Sequence, residues 1–367
     1  MKTGERQDLH AHFMMQAIKL AKRGVGLTKP NPPVAALIVS NGKIIGKGFH
    51  KRAGGPHAEI YAINSAGIRS EGSTLYVTLE PCSTQGRTGP CTKAIIQSKI
   101  KTVVIAVRDP NPLHNGKGIR VLRKAGINVI EGVCKKDATD LIKSFSKWIT
   151  CGKPFLTLKL AISVDGKIAD SKGSSRWISS VKSRKVVMKL RQCVDAILVG
   201  AGTARTDNPS LLCSRADKPF RVVVDSQGTL PLRSKMLNDA YVTRTIVATT
   251  ERCKENRCRQ YIEKGAIVWK LPLTKDEHVS LRHLFAALGK MGVLHVLCEG
   301  GGELAYSLIS RNYVDEYLFF LAPLIIGGAG SVSAVTGKGW LLDSVPRLRF
   351  TGFEQSGSDI MLRAIPA

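Results

Sequence analysis

The sequence contains no apolar run of about 18 residues, so no segment offers itself as a membrane-spanning helix. Residues 1–12 are polar and carry no apolar stretch of the secretory kind, which leads us to expect a cytoplasmic protein. The nine cysteines are odd in number and scattered, apart from Cys82 with Cys91 and Cys253 with Cys258. That pattern argues against a disulfide framework and for metal ligation or plain burial. There is no short-period repeat, no low-complexity segment and no long block of one charge. Acidic residues are scarce, with 28 Asp plus Glu against 55 Lys plus Arg and a formal net charge of +27. Such a surface attracts anions, whether nucleic acid, acidic lipid or phosphorylated metabolites. Because the basic residues are spread along the whole chain, nucleic acid is the minor reading of the three.

What is present is ordinary for a globular protein: 43% hydrophobic and 23% charged residues over 367 positions, enough for two domains. Residues 8–23 have helical spacing, with Phe13, Ala17, Leu20 and Ala21 on one face. Pro30-Asn31-Pro32-Pro33 is a rigid turn, and 34–39 and 43–48 form a hairpin around Asn41-Gly42. Helices at 57–66, 92–99 and 119–125 alternate with strands at 74–79, 102–107 and 127–130. This alternation predicts a layered α/β domain over residues 1–150, closed by a helix over 137–148. Cys151-Gly152-Lys153-Pro154 marks the boundary. A second α/β domain over 154–367 follows, with strands at 155–163, 196–200, 221–225, 245–248, 294–298 and 318–326.

The strongest chemical signal is His57-Ala58-Glu59 followed by Pro81-Cys82 and then Cys91. One imidazole and two thiolates make three zinc ligands, and a catalytic zinc keeps a further position for water. Glu59 lies two residues beyond the histidine on the same first helical turn, placed to move a proton without binding the metal. The pattern H-x-E then P-C-x-x-C belongs to zinc nucleobase deaminases. Here the two cysteines are nine apart, with residues 83–90 looped out between them.

Three stretches together resemble the bifunctional riboflavin-biosynthesis deaminase/reductase family. They are Pro30-Asn31-Pro32 with His50 and Gly54-Gly55-Pro56-His57-Ala58-Glu59; Leu79-Glu80-Pro81-Cys82-Ser83 with Gly86-Arg87-Thr88 and Pro90-Cys91; and Asp109-Pro110-Asn111-Pro112 with Gly116-Lys117-Gly118. The resemblance implies a cytidine-deaminase-like three-layer domain. It implies that zinc bound by His57, Cys82 and Cys91, with Glu59 as acid/base, removes the C2 amino group of a diaminopyrimidinone riboside 5′-phosphate. Asn31 would contact the ring, and Gly86-Arg87-Thr88 the ribose phosphate. Thr84 and Gly89 stand where the family usually has His and Pro.

In the second half, the strand at 294–298, the turn Glu299-Gly300-Gly301-Gly302-Glu303 and the helix at 304–310 make an anion-binding arrangement of a general kind. The residues 159–167, Ser175-Arg176-Trp177-Ile178-Ser179, Gly200-Ala201-Gly202-Thr203 and Asp207-Asn208-Pro209-Ser210-Leu211 are similar to the same family's dihydrofolate-reductase-like domain. That resemblance implies NADPH-dependent reduction of the ribosyl group to ribityl. The cofactor would lie against Ala161, Trp177, Thr203, Asp207, Ser226 and the run Gly301, Gly302, Glu303, Leu304, Ala305, Tyr306, Ser307. The substrate would lie against Ser175, Arg191, Leu211, Arg215 and Glu299. Arg215 sits one residue late relative to the family's spacing, and a homo-oligomer is implied. Two rivals remain at this level: a nucleic-acid-editing deaminase with a basic C-terminal half, and a single-activity deaminase whose second domain only binds ligand or assembles the oligomer.

Overall fold

Strand runs covered on both faces by helices set the architecture of each half of the chain. The computed structural model describes residues 3–85 and 89–367. It separates into two units, Met1–Gly152 and Lys153–Ala367. The loop residues Gly86, Arg87 and Thr88, expected to meet the ribose phosphate, lie outside the described residues.

The first unit contains α1 (Thr3–Ala21), β1 (Ala35–Ser40), β2 (Lys43–Phe49), α2 (Ala58–Ala66), β3 (Thr74–Leu79), α3 (Cys91–Gln97), β4 (Thr102–Val107), α4 (Lys117–Lys124), β5 (Asn128–Glu131), α5 (Lys135–Leu141) and α6 (Lys143–Cys151). Its sheet has the order β2-β1-β3-β4-β5. β1 is antiparallel to β2 and β3, whereas β3, β4 and β5 run parallel. Alternation along β1 divides the core. Ala36 and Ile38 pack with Ala58, Ala62, Ile95 and Leu122 from α2, α3 and α4. Leu37 and Val39 pack with Phe13, Met14 and Ala138 from α1 and α5. The result is the three-layer α/β/α arrangement expected from the sequence. The expected single helix over 137–148 is instead two helices, broken where Ile142 leaves helical geometry at φ −105°, ψ 12° and is buried.

The second unit contains β6 (Phe155–Ser163), β7 (Lys167–Ala169), α7 (Val181–Cys193), β8 (Ala196–Gly200), α8 (Ala201–Asp207), β9 (Phe220–Val224), β10 (Thr245–Thr249), α9 (Glu255–Glu263), β11 (Ile267–Lys270), α10 (Leu281–Lys290), β12 (His295–Cys298), α11 (Gly302–Ile309), β13 (Glu316–Ala322), β14 (Val332–Ser333), β15 (Leu348–Ser356) and β16 (Asp359–Pro366). Its 9-stranded sheet has the order β11-β10-β9-β8-β12-β6-β13-β16-β15. Every neighbouring pair from β11 to β13 is parallel, and β16 and β15 add an antiparallel edge. Leu156, Leu158, Leu198 and Val222 bury one face under α10 and α11. Ile197, Val199, Val223 and Val247 bury the other against Cys258 and Tyr261 of α9. The strand expected over 318–326 ends at Ala322, because Pro323 has no N–H to continue the ladder.

One close approach positions the histidine and glutamate. Gly46 and Gly48 of β2 let α2 lie against the strand: a Cβ on Gly48 would fall 2.4 Å from the Ala58 carbonyl oxygen, and one on Gly46 2.4 Å from that of Ala62. Gly48→Ala therefore forces α2 outward. The expected cost is about 1–3 kcal/mol, seen as a lower urea midpoint for the first unit while the second unit keeps its wild-type midpoint.

Candidate active sites

His57 is the residue immediately before α2, in extended geometry at φ −74°, ψ 166°, so its ring leaves the chain just as the helix begins. Cys82 follows the end of β3, and Cys91 opens α3 behind Pro90. These three come together: His57 Nδ1 lies 3.2 Å from Cys91 Sγ and 3.5 Å from Cys82 Sγ. The Cys91 backbone N–H donates to Cys82 Sγ at 3.3 Å. All three candidate ligand atoms lie within 4.8 Å of one another. A nitrogen and two sulfurs converging from separate elements are a donor set that fits zinc with a position left over. The hydrogen bond from the Cys91 thiol, with further ones from His57 and the Cys91 backbone, lowers the Cys82 thiol well below its ordinary range, so Cys82 is the readier thiolate.

Glu59 is 3% exposed on the first turn of α2. Burial, reinforced by the neighbouring Cys82 charge, pushes its carboxyl up to about 7. A carboxyl with that proton affinity is suited to take up and release a proton near neutrality. Asn31 lies on the rigid 28–33 turn, where Thr28 Oγ1 donates to the Asn31 carbonyl at 2.9 Å. Its amide nitrogen lies 3.0 Å from His50 Nε2, and His50 Nδ1 lies 3.1 Å from the Pro56 carbonyl. Burial lowers the pKa of His50, which keeps the ring neutral, so it donates to Pro56 and accepts from Asn31. His50 belongs to the stretch that carries the family resemblance, and its contact with Asn31 emerges only in the fold.

In the second unit a cleft of about 1080 Å³ opens at the carboxyl ends of the parallel strands, where ligands enter doubly wound sheets. Ala161, Ser175, Trp177, Arg191, Thr203, Asp207, Leu211, Ser226 and Glu299 line it, as do Gly301, Gly302, Glu303, Leu304 and Ser307. Trp177 is 67% exposed, with the Arg184 guanidinium 4.3 Å from its ring centre. Ser175 Oγ donates to Asp207 Oδ1 at 2.7 Å. Asn208 adopts φ 42° at the end of α8, a left-handed position that Asn tolerates, and its Oδ1 accepts the Lys235 N–H at 2.9 Å. The volume, the exposed aromatic and the arginines 176, 184, 205, 252 and 311 on its walls suit an elongated, multiply phosphorylated cofactor such as NADPH.

Three residues grouped with this cleft lie elsewhere. Ala305 is buried in the core and Tyr306 packs on Trp340 at 4.9 Å, because α11 turns those positions away from the wall that Leu304 and Ser307 share. Arg215 directs Nη1 to the carbonyls of Gln192 and Val194, at 3.0 and 3.2 Å, closing the end of α7. A residue not singled out from the sequence, Lys159, joins the lining. Its Nζ lies 3.9 Å from Glu299 Oε2, while Arg191 grips Glu299 through two bonds at 2.7 and 3.0 Å. Its signal in the sequence was a lone lysine inside an otherwise apolar strand, Thr157-Leu158-Lys159-Leu160-Ala161.

With this geometry in place, the comparisons with known proteins divide the same way. Residues 7–107 match the family model described as the cytidine and deoxycytidylate deaminase zinc-binding region, and residues 154–362 match the RibD C-terminal domain. The chain is 40% identical over 362 residues to the riboflavin biosynthesis protein RibD of Bacillus amyloliquefaciens, covering 98% of this chain and 96% of that one. It is 34% identical over 375 residues to RibD of Escherichia coli, covering 97% and 99%. A solved RibD of Acinetobacter baumannii superposes with a TM-score of 0.88 at 34% identity, over 98% of this chain and 99% of the other. A Thermotoga maritima diaminohydroxyphosphoribosylaminopyrimidine deaminase/5-amino-6-(5-phosphoribosylamino)uracil reductase superposes with a TM-score of 0.87 at 36% identity, over 99% and 100%. The protein is thus a two-domain enzyme that joins a zinc-binding deaminase domain to a reductase domain. It belongs to the RibD family of bifunctional riboflavin-biosynthesis deaminase/reductases.

The Arg191–Glu299 pair makes a testable statement about pH. Burial alone would raise the Glu299 carboxyl, but the Arg191 and Lys159 charges outweigh it and hold it below its ordinary 4.5. Its stabilising contribution is therefore fully present above about 4.5 and lost as pH falls through the lower folded value. Arg191→Met leaves a buried carboxylate short of its main partner, a loss of about 3 kcal/mol near neutrality. Urea unfolding of the second unit should show that deficit at neutral pH and a narrowing gap from wild type as the solution is acidified.

Proposed function

We propose that the first unit hydrolyses the C2 amino group of the diaminopyrimidinone riboside 5′-phosphate formed when the GTP ring is opened. The second then reduces the ribosyl group to ribityl, giving 5-amino-6-(5-phosphoribitylamino)uracil. The observation that carries this reading is the convergence of His57, Cys82 and Cys91 beside a buried Glu59 whose carboxyl is raised towards neutrality. His57, Cys82 and Cys91 would hold zinc, which when bound lowers the pKa of a water and so makes it nucleophilic. Glu59 takes the proton from that water on its carboxylate and passes it to the leaving amine nitrogen. Asn31, fixed by His50, donates to or accepts from the ring edge and sets which carbon faces the nucleophile.

In the cleft of the second unit, bound NADPH would supply a hydride to the ribosyl C1′ as the ring C1′–O4′ bond opens and O4′ takes up a proton from solvent. Trp177 offers an exposed ring face to the cofactor, and Gly301 and Gly302 line the wall beside it. Thr203, Asp207 and Ser226 add polar contacts along the wall, while Ser175 orients Asp207. Arg191 and Lys159 hold Glu299 ionised and in place on the substrate side, and Leu211 closes the apolar edge. The positive surface concentrates the anionic substrate and cofactor.

We place the activity in the cytoplasm and in a homo-oligomer. All nine cysteines are free in the structure, as suits a reducing compartment. Among the described residues no helix is long and apolar enough to cross a membrane. The edge strand β15 exposes Phe350 and Phe353, the latter at 83%, on an apolar surface of the kind a second subunit would cover.

Two measurements test this reading. Ammonia release and NADPH oxidation, followed together on the diaminopyrimidinone substrate, should both occur. A zinc chelator should stop both while sparing reduction of the pre-deaminated compound. Ammonia without NADPH oxidation would leave the second unit with another task. Glu59→Ala should keep its zinc and lose about 10²–10⁴-fold or more in ammonia release, with reduction of the pre-deaminated compound unchanged; zinc loss in that variant would reassign Glu59 as a ligand.

A further inference from the structure

The segment Asp109-Pro110-Asn111-Pro112…Gly116-Lys117-Gly118 has no part in the chemistry above, yet it touches the zinc site through one side chain. We propose that Glu80 is a positioning residue for that site. Seated on the backbone of residues 109–119, its carboxylate locks the Pro81–Cys82 turn and so fixes where the Cys82 sulfur stands. The inference rests on the reading of His57, Cys82 and Cys91 as the zinc ligands.

Glu80 is 5% exposed. Its Oε2 accepts the backbone N–H groups of Asp109 at 3.1 Å and Gly116 at 2.9 Å. Its Oε1 accepts those of Gly118 at 2.9 Å and Ile119 at 3.3 Å. Its own N–H donates to the Val107 carbonyl at 2.9 Å, so the residue is held at both ends. Four converging N–H donors match a carboxylate, which is acceptor-only, and mismatch an amide, whose NH₂ would point at two of them. The first N–H groups of α4 are thereby satisfied from within the chain, so this helix start is a clamp for Glu80 and not an anion site for ligand.

The clamp reaches Cys82 without a loose link. Gly118 lies against the Pro81 carbonyl so closely that a Cβ there would sit 2.0 Å from the oxygen. One residue on, the Cys82 carbonyl accepts the Thr92 N–H at 3.1 Å and the Cys82 sulfur accepts the Cys91 N–H at 3.3 Å. Cys82 has no helix or strand of its own to hold it. Its position is set by this pair of clamps, Glu80 on one side and the start of α3 on the other. Outer contacts that orient a ligand commonly change metal affinity by about 10–100-fold.

Cobalt(II) in place of zinc in the full-length protein reads the site directly, through thiolate-to-cobalt charge-transfer bands and the rate of metal loss to a chelator. We expect Glu80→Gln to shift or weaken those bands and to speed metal loss about tenfold or more, with reduction of the pre-deaminated substrate unchanged. Gly118→Ala keeps the carboxylate but pushes on the Pro81 carbonyl, and is expected to act in the same direction. Glu80→Asp keeps the charge and should recover part of the wild-type retention. If Glu80→Gln fails to fold, the decision passes to Gly118→Ala and Glu80→Asp. If the folded variants keep the wild-type bands and metal-loss rate and lose only thermal stability, Glu80 is merely structural and the inference is overturned. If wild-type protein shows no thiolate bands with cobalt, the ligand assignment itself fails, a result separate from the behaviour of the variants.

Discussion

Two thiols, an imidazole and a carboxyl share one largely enclosed site, in which Cys91 and Glu59 are buried and His57 and Cys82 half-buried, and groups of that kind do not gather without support. Each loses hydration on burial, and the thiolate and carboxylate charges repel each other. Burial, with the Cys82 charge behind it, displaces the Glu59 carboxyl upward. Much of the first unit serves to hold the four together. Gly46 and Gly48 bring α2 against the sheet, which delivers His57 and Glu59 on one helical turn. β3 ends at Leu79, three residues before Cys82, and α3 starts on Cys91 itself. The same crowding is what gives the site its chemistry, since a carboxyl that resists ionisation can both receive and return a proton.

The second unit meets a related problem with a different solution. Lys159, Arg191 and Glu299 carry two positive charges and one negative into a cleft wall where water is limited. The bidentate grip of Arg191 on Glu299 orients the carboxylate, and Lys159 completes the set from inside β6. Around them the parallel strand ends provide the opening, and the glycines after β12 let the chain pack tightly there: a Cβ on Gly302 would fall 2.6 Å from the Ser333 carbonyl oxygen.

Much of this was legible in the residues. The zinc set was visible because His57-Ala58-Glu59 and Pro81-Cys82 are local motifs whose spacing encodes a shared turn. The parallel strands were visible because both their faces are buried and they read as unbroken apolar runs. The hairpin of β15 and β16 escaped, since most β15 side chains are exposed and Phe350-Thr351-Gly352-Phe353 crosses a register shift that breaks the alternation. Within residues 301–307, Leu304 and Ser307 line the cleft while Ala305 is buried in the core and Tyr306 packs on Trp340, a division that position along the chain does not reveal. Arg215 lies within the right stretch of chain, yet its guanidinium closes the end of α7.

By itself the sequence determined the two α/β domains, the family, the candidate metal-binding set and the glutamate proposed to move the proton, because those depend on residue type and on spacing along one or two elements. The tertiary structure alone decided which members of a motif share a wall, that Lys159 joins Glu299 from a strand far away in the chain, that His50 orients Asn31, and that Glu80 spends its carboxylate on the backbone of residues 109–119. The reason is physical. A motif records which groups are needed, whereas hydrogen bonds and ion pairs between distant segments depend on distances and directions that exist only once the sheets have assembled.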